Sequence, residues 1–132
     1  MEEDYGIEIV SDDVLVDRFN SNRDMFQFLI DNGCKYYSEG ITRNYDADCQ
    51  IIIEELKIVY FIPNFENNEY KVVIGGAPYY KKGYLYSESS LQNIVPSLDI
   101  VANARDKGDF SDPFPAFREL DGNWFLFLES LS

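Results

Sequence analysis

The sequence predicts an α+β domain in which a long N-terminal helix packs on an antiparallel sheet of about five strands. Three observations carry that expectation. Leu15, Phe19, Asn22, Phe26 and Leu29 recur at the 4-3-4-3 spacing of one helix face. Further along, β-branched and aromatic runs alternate with Asn, Gly and Pro breaks, as strands joined by turns do. Near the end, Asp121-Gly122 separates two apolar runs, the signature of a tight hairpin. A chain of 132 residues fits one domain, expected over residues 11–132 behind an acidic lead at 1–10. With 45% hydrophobic and 16% aromatic residues, it can bury a core of its own.

The elements follow in chain order. Ser11 is a good N-cap, and Asp12 and Asp13 stand in the first turn, where the helix dipole favours anions. Asn32-Gly33 closes the helix, Gly33 supplying a left-handed C′ position. The stretch from Cys34 to Tyr45 reads as irregular, and Asp46 to Leu56 as a short helix or turn, since Ile51-Ile52-Ile53 favours a strand and Glu54-Glu55-Leu56 a helix. Lys57 to Ile62 and Glu69 to Ile74 form a hairpin about Asn67-Asn68, and Lys82 to Ser87 a third strand. Ser97 caps a short helix over Leu98 to Ala104. Ala116 to Leu120 and Asn123 to Leu128 close the chain as a hairpin with a type I′ turn at Asp-Gly. On the last strand, alternation sends Trp124, Leu126 and Leu128 to one face and Phe125 and Phe127 to the other, so at least one set is core.

Charge and missing residue types narrow the function. Twenty-four Asp and Glu against eleven Lys and Arg give a formal charge of −13, which repels nucleic-acid backbones and anionic lipid. The chain has no histidine, so Ser-His-Asp and Cys-His nucleophile pairs and His-ligated zinc are excluded. Cys34 and Cys49 have no CxxC spacing; a disulfide between them and two free thiols are both compatible with the sequence. Gly75-Gly76, without a following Lys-Ser/Thr, is a turn and no phosphate loop. No stretch reaches the roughly 18 apolar residues of a membrane span. A cytoplasmic location is expected, with a periplasmic or envelope-anchored one as the alternative if a signal was removed.

Several segments in this order, Ser11-Asp12 opening a helix with Phe19, Asn20, Arg23 and Phe26, then Lys82-Gly83-Tyr84-Leu85-Tyr86, Ser97-Leu98-Asp99 and Asp121-Gly122-Asn123-Trp124-Phe125-Leu126-Phe127, carry a resemblance. Together they resemble a loose family of small bacterial proteins, many of them read as lipoproteins, with a capped N-terminal helix, a Lys-Gly-Tyr strand and a Gly-Asn-Trp-aromatic closing hairpin. The resemblance implies an α+β fold and a bacterial source and brings no assigned chemistry. The sequence departs from such relatives in lacking a lipobox cysteine and signal.

Two groups of residues are candidates for a partner surface. Glu2, Glu3, Asp4, Glu8, Asp12, Asp13 and Asp17 all precede the first basic residue, Arg18. They make either a negative surface that steers in a cationic partner or a solvated terminus with dipole-favoured caps. Tyr36, Tyr37, Tyr45, Tyr79 and Tyr80 fall in or beside expected loops, where tyrosines serve interfaces or cover an open sheet end. Carboxylate pairs, Asp46 with Asp48 or Asp109 with Asp112, are the one catalytic or calcium-binding option, and neither has EF-hand spacing. The expectation is therefore a non-enzymatic module without metal or cofactor, a monomer or weak dimer. It would bind a basic protein, such as a nuclease toxin, as an immunity or inhibitor protein through Asp13, Asp17, Asp24, Tyr36, Tyr37, Asp46 and Asp48. The alternative is a cell-envelope or lipoprotein-like accessory domain.

Overall fold

The structure, a computed structural model, describes residues 10–32, 36–39, 42–64, 66, 68–75 and 80–130; within these, the side chains of 36–39, 42–45, 60 and 130 are left aside. The expected α+β class is found. Helices α1 (Asp12–Ser21) and α2 (Arg23–Asp31) precede a hairpin of β1 (Tyr36–Glu39) and β2 (Thr42–Tyr45) and helix α3 (Ala47–Glu55). Then come β3 (Tyr60–Asn64), β4 (Glu69–Gly75), β5 (Tyr80–Ser87), helix α4 (Leu98–Asp106), β6 (Ala116–Asp121) and β7 (Trp124–Ser130). The last five strands form one antiparallel sheet in the order β3-β4-β5-β7-β6. The α4-bearing connection carries the chain past β7 to the sheet edge, and the closing hairpin returns β7 to pair with β5.

The single long N-terminal helix is corrected to two. Asn22, at φ −135° and ψ 32°, interrupts it. Its side-chain amide donates to the Arg18 carbonyl at 2.9 Å, the local competition with the helical ladder that asparagine offers. The apolar stripe survives the break: Leu15, Phe19, Phe26 and Leu29 are all buried, and the Phe19 and Phe26 rings meet at 5.3 Å.

The segment read as irregular holds the β1–β2 hairpin, whose strands pair only with each other among the described residues. The ambiguous triple-isoleucine run is helical, with Ile53 buried and Ile51 exposed. Ser11 and Ser97 cap α1 and α4 as expected, accepting from the Val14 and Ile100 amides. The closing turn is displaced by one residue: Asp121 pairs with Trp124, so Gly122-Asn123 forms the loop. Gly122 alone has positive φ, at 57°, whereas a type I′ turn needs it at both central residues.

The core lies between the helices and one sheet face, where Tyr70, Val72, Tyr84, Trp124, Leu126 and Leu128 meet the helical stripe. Both faces of β7 are buried. On the reverse face Phe127, Phe125, Leu85 and Val73 cluster beneath Leu91 and Phe117. The Lys71 ammonium lies 5.3 Å from the centre of the Phe127 ring and pairs with Glu129 at 2.6 Å. Long charged side chains thus cover with their stems what no helix covers.

Cys49 is buried and disulfide-bonded. Cys34, the other cysteine of the sequence, lies outside the described residues, as do Glu2, Glu3, Asp4, Glu8, Gly33, Gly76 and Tyr79. No helix of the described residues is long and apolar enough to cross a membrane.

Candidate functional site

Three of the segments that carry the sequence resemblance converge at one end of the helix–sheet interface. Asp12 is the first residue of α1 and Leu98 the first of α4; their amides are among those a helix leaves unpaired. The two helices satisfy each other. The Asp12 amide donates to Asp99 Oδ2 at 3.0 Å, and the Leu98 amide donates to Asp12 Oδ2 at 2.8 Å. Lys82, on β5 and 1% exposed, closes the arrangement: its ammonium lies 2.6 Å from Asp12 Oδ1 and 2.9 Å from Asp99 Oδ1, and donates to the Val10 carbonyl at 2.7 Å. Arg118 on β6 adds a 3.0 Å contact to Asp12.

Two carboxylates thus face two cations, and the cluster is neutral, the condition under which buried charge is tolerated. Burial pushes the Asp12 carboxyl pKa up, but the Lys82 ammonium, the Leu98 amide and Arg118 together outweigh it and hold Asp12 below the ordinary carboxylate value. Nearby, the buried Tyr84 hydroxyl donates to the Leu15 carbonyl at 2.6 Å; burial raises its pKa, against a smaller opposing pull from Arg18. These residues pin α1 and α4 to the sheet. Asp12, expected on the surface, is 1% exposed and engaged, so it leaves the candidate partner surface. Tyr80 leaves it too: at 8% exposure it is core, packed edge-on against Phe114.

The remaining carboxylates divide by whether they are engaged. Asp13, Asp17, Asp24, Asp46 and Asp48 are exposed, and none makes an ion pair or side-chain hydrogen bond among the described residues. Asp13 and Asp17 stand one helical turn apart on α1, Asp24 is in the first turn of α2, and Asp46 and Asp48 flank the start of α3. Helices α2 and α3 pack together, which joins the last three into neighbouring elements. The arginines of this layer point elsewhere. Arg18 donates to the Leu56 carbonyl at 3.2 Å, and Arg23 pairs with Asp121 on the far side of the chain's sequence. Tyr36 and Tyr37 lie on β1 opposite Tyr45 and Asn44, and their side chains are outside the described set. Asp109 is engaged in its own turn, accepting from the Ser111 amide and hydroxyl, which lowers its pKa. Among the described residues, no group of three or more acidic or Cys side chains is placed to hold a metal ion.

A cleft of about 390 Å³ opens beside Asp24, between the α1–α2 break and the β6–β7 turn. Phe19, Tyr86 and Trp124 form its aromatic part, and Arg23, Asp24 and Asp121 its charged part. The Arg23 guanidinium stacks 5.0 Å above the Phe19 ring while it pairs with Asp121. Sequence reading did not find the cleft. Trp124 reads correctly as core, but Arg23 and Asp121 are 98 residues apart, and nothing local to either signals the pair.

Comparison with protein-family models, with curated proteins and with solved structures finds no match.

Proposed function

We propose that this chain is a small acidic protein-binding module, an immunity or inhibitor protein that neutralises a cationic toxin, such as a nuclease, by stoichiometric binding. One observation carries the reading: Asp13, Asp17, Asp24, Asp46 and Asp48 are exposed and have no ion-pair or hydrogen-bond partner among the described residues, while Arg18 and Arg23 of the same helical layer are engaged. Unpaired carboxylates on adjoining helices attract a basic surface at long range and compete for the patch it would offer to nucleic acid. The formal charge of −13 adds a general pull in the same direction. In this reading the chain works as a monomer or weak dimer, performs no chemistry and holds no cofactor.

The test compares the tagged protein with the Asp13→Asn, Asp17→Asn, Asp46→Asn, Asp48→Asn variant as bait for basic proteins of the source organism. The expected result is a basic protein held at near-equal amount by the parent, released by a salt gradient, and associating with the variant at least about tenfold more slowly. The variant should keep its fold, since none of those side chains makes an ion pair or hydrogen bond among the described residues and asparagine keeps their size. Equal association rates and salt dependence for parent and variant, or capture by neither, would sink the reading.

The Cys49 disulfide favours a second reading, an accessory domain of a bacterial cell envelope, because disulfides persist in oxidising compartments and are rare in the cytosol. Thiol titration of protein from its native host, with and without reductant, separates the two. Thiols that appear only after reduction favour the envelope; thiols free from the start favour a cytoplasmic binder.

A further inference from the structure

The cleft beside Asp24 combines three properties that select a ligand. First, its charged lining is two carboxylates against one guanidinium, so one negative charge is left over. Asp121 is matched by Arg23, and Asp24 is unmatched among the described residues. Second, the walls are aromatic. Half-buried Tyr86, packed edge-on against Trp124 at 5.2 Å with Phe19 and Trp124 buried behind it, gives the accessible ring of a cleft that Asp24 also lines. Third, the chain's own Arg23 shows what such a lining accepts: a planar cation over a ring and paired with a carboxylate. The volume of about 390 Å³ lies within the roughly 300–1,000 Å³ of small-ligand sites and exceeds what one long side chain needs.

We infer that the cleft is the receptor for an arginine side chain of the basic partner, its guanidinium held by Asp24 against the Tyr86–Trp124 wall. This rests on the reading above that the partner is a basic protein. Arginine suits the site better than lysine. Its flat guanidinium stacks on aromatic faces and offers paired donors to a carboxylate, whereas the compact, strongly hydrated ammonium gains less from a ring and costs more to desolvate. Seating such an anchor in the cleft would give the interface a specific contact that a flat charged surface lacks, with the α1 and α3 carboxylates as a steering rim.

Trp124 is the only tryptophan of the chain and lines this cleft, so its fluorescence reports on occupancy there. The full chain is titrated with an acetylated, amidated di-arginine peptide and with matched di-lysine and di-citrulline peptides, citrulline being the neutral isostere. The expected result is a saturable change in emission with arginine, at least about tenfold weaker with lysine or citrulline, and about tenfold weakened by Asp24→Asn, the loss of one charge-assisted contact. Asp24→Asn should leave the thermal midpoint in place, because Asp24 has no partner to lose among the described residues. No saturable change, indifference among the three peptides, or an Asp24→Asn variant that binds as the parent does would overturn the inference. Its failure is distinct from that of the broader reading. A basic partner captured through Asp13, Asp17, Asp46 and Asp48 but indifferent to Asp24→Asn retires the cleft alone. Peptide binding without any captured partner retires the broader reading alone.

Discussion

Replacing Asp12 with asparagine is expected to lower the unfolding free energy by about 3 kcal/mol at neutral pH, near the low end of the cost of removing one member of a buried ion pair. The low end applies because Lys82 keeps Asp99, 2.9 Å away, and so is not left wholly unpaired. Three further contacts lose their charge assistance: the Leu98 amide, the Arg118 guanidinium and the closer of the two Lys82 ion pairs.

The pH dependence carries a definite sign. Asp12 is held below its ordinary value of 3.8 in the folded state, so folding favours its ionised form. The stabilisation is complete above the unfolded-state pKa of about 3.9, and it is lost as pH falls through the lower folded value. The gap between parent and Asp12→Asn should therefore be flat from pH 7 to about 5 and shrink below about 4. Other carboxylates titrate there as well, but they do so in both proteins, and the difference isolates Asp12. A double-mutant cycle with Lys82→Met sharpens the test. Removing both charges should cost less than the sum of the single changes, because neither is then buried alone. Chemical denaturation at pH 7 and pH 3 measures all four proteins. A single-variant loss under about 1 kcal/mol, or strict additivity in the cycle, would show that the cluster does not hold α1 to the sheet.

That cluster marks the boundary of what could be read from the sequence. Its members are each locally legible as something ordinary: Asp12 and Asp99 as anions in first helical turns, Lys82 as a charge on a strand. The burial of Asp12 and Lys82 is decided by each other, across 70 residues, and no window of the sequence contains the decision. The main sheet was legible for the opposite reason. The β-branched and aromatic runs of β4, β5 and β7 and the Asn, Gly and Pro breaks between them are local signals, and the strands formed where those runs stand.

The break at Asn22 was invisible because periodicity registers which residues face the core, not whether the backbone between them is continuous. Phe19 and Phe26 face the same rings on either side of it, each within 5.6 Å of Trp124. The β1–β2 hairpin was missed because Tyr-Tyr-Ser-Glu and Thr-Arg-Asn-Tyr show no apolar alternation, and its strands join no sheet beyond their own pairing among the described residues. Of the candidate partner residues, five acids stand exposed as expected, since an unpaired acid on a helix surface is the default that local sequence describes well. The cleft depends on Arg23 reaching Asp121, which local sequence does not describe at all.

Gly83→Ala is expected to be the most damaging glycine-to-alanine change among the described residues, and its reason is close approach of two backbones. Gly83 sits at the centre of β5, the middle strand of the sheet, opposite Val73 on β4 and Phe127 on β7. A Cβ built there would lie 1.9 Å from the Val72 carbonyl oxygen and 3.0 Å from the Ile74 amide nitrogen. Both are main-chain atoms held in the ladder, so no side chain can rotate away; β4 itself has to move. A strand glycine often marks such an approach.

Moving β4 would open the layer where Phe127 and Tyr84, both fully buried, pack on opposite faces of the sheet, and would shift Lys82 from the ion cluster next door. The expected loss exceeds about 4 kcal/mol, in the range reached only by a short list of mechanisms that includes overpacking and broken buried networks. Gly108 and Gly122 serve as controls of a different kind. They have positive φ, at 86° and 57°, with open space where a Cβ would go, so alanine there meets backbone strain alone, on the order of 1 kcal/mol. Thermal unfolding of the three variants ranks them. If Gly83→Ala unfolds within a few degrees of Gly122→Ala, the two central strands are not held as closely as their register implies. A much lower midpoint with the same far-ultraviolet signature at low temperature would instead locate the stability of the whole layer at this one contact of β5 with β4.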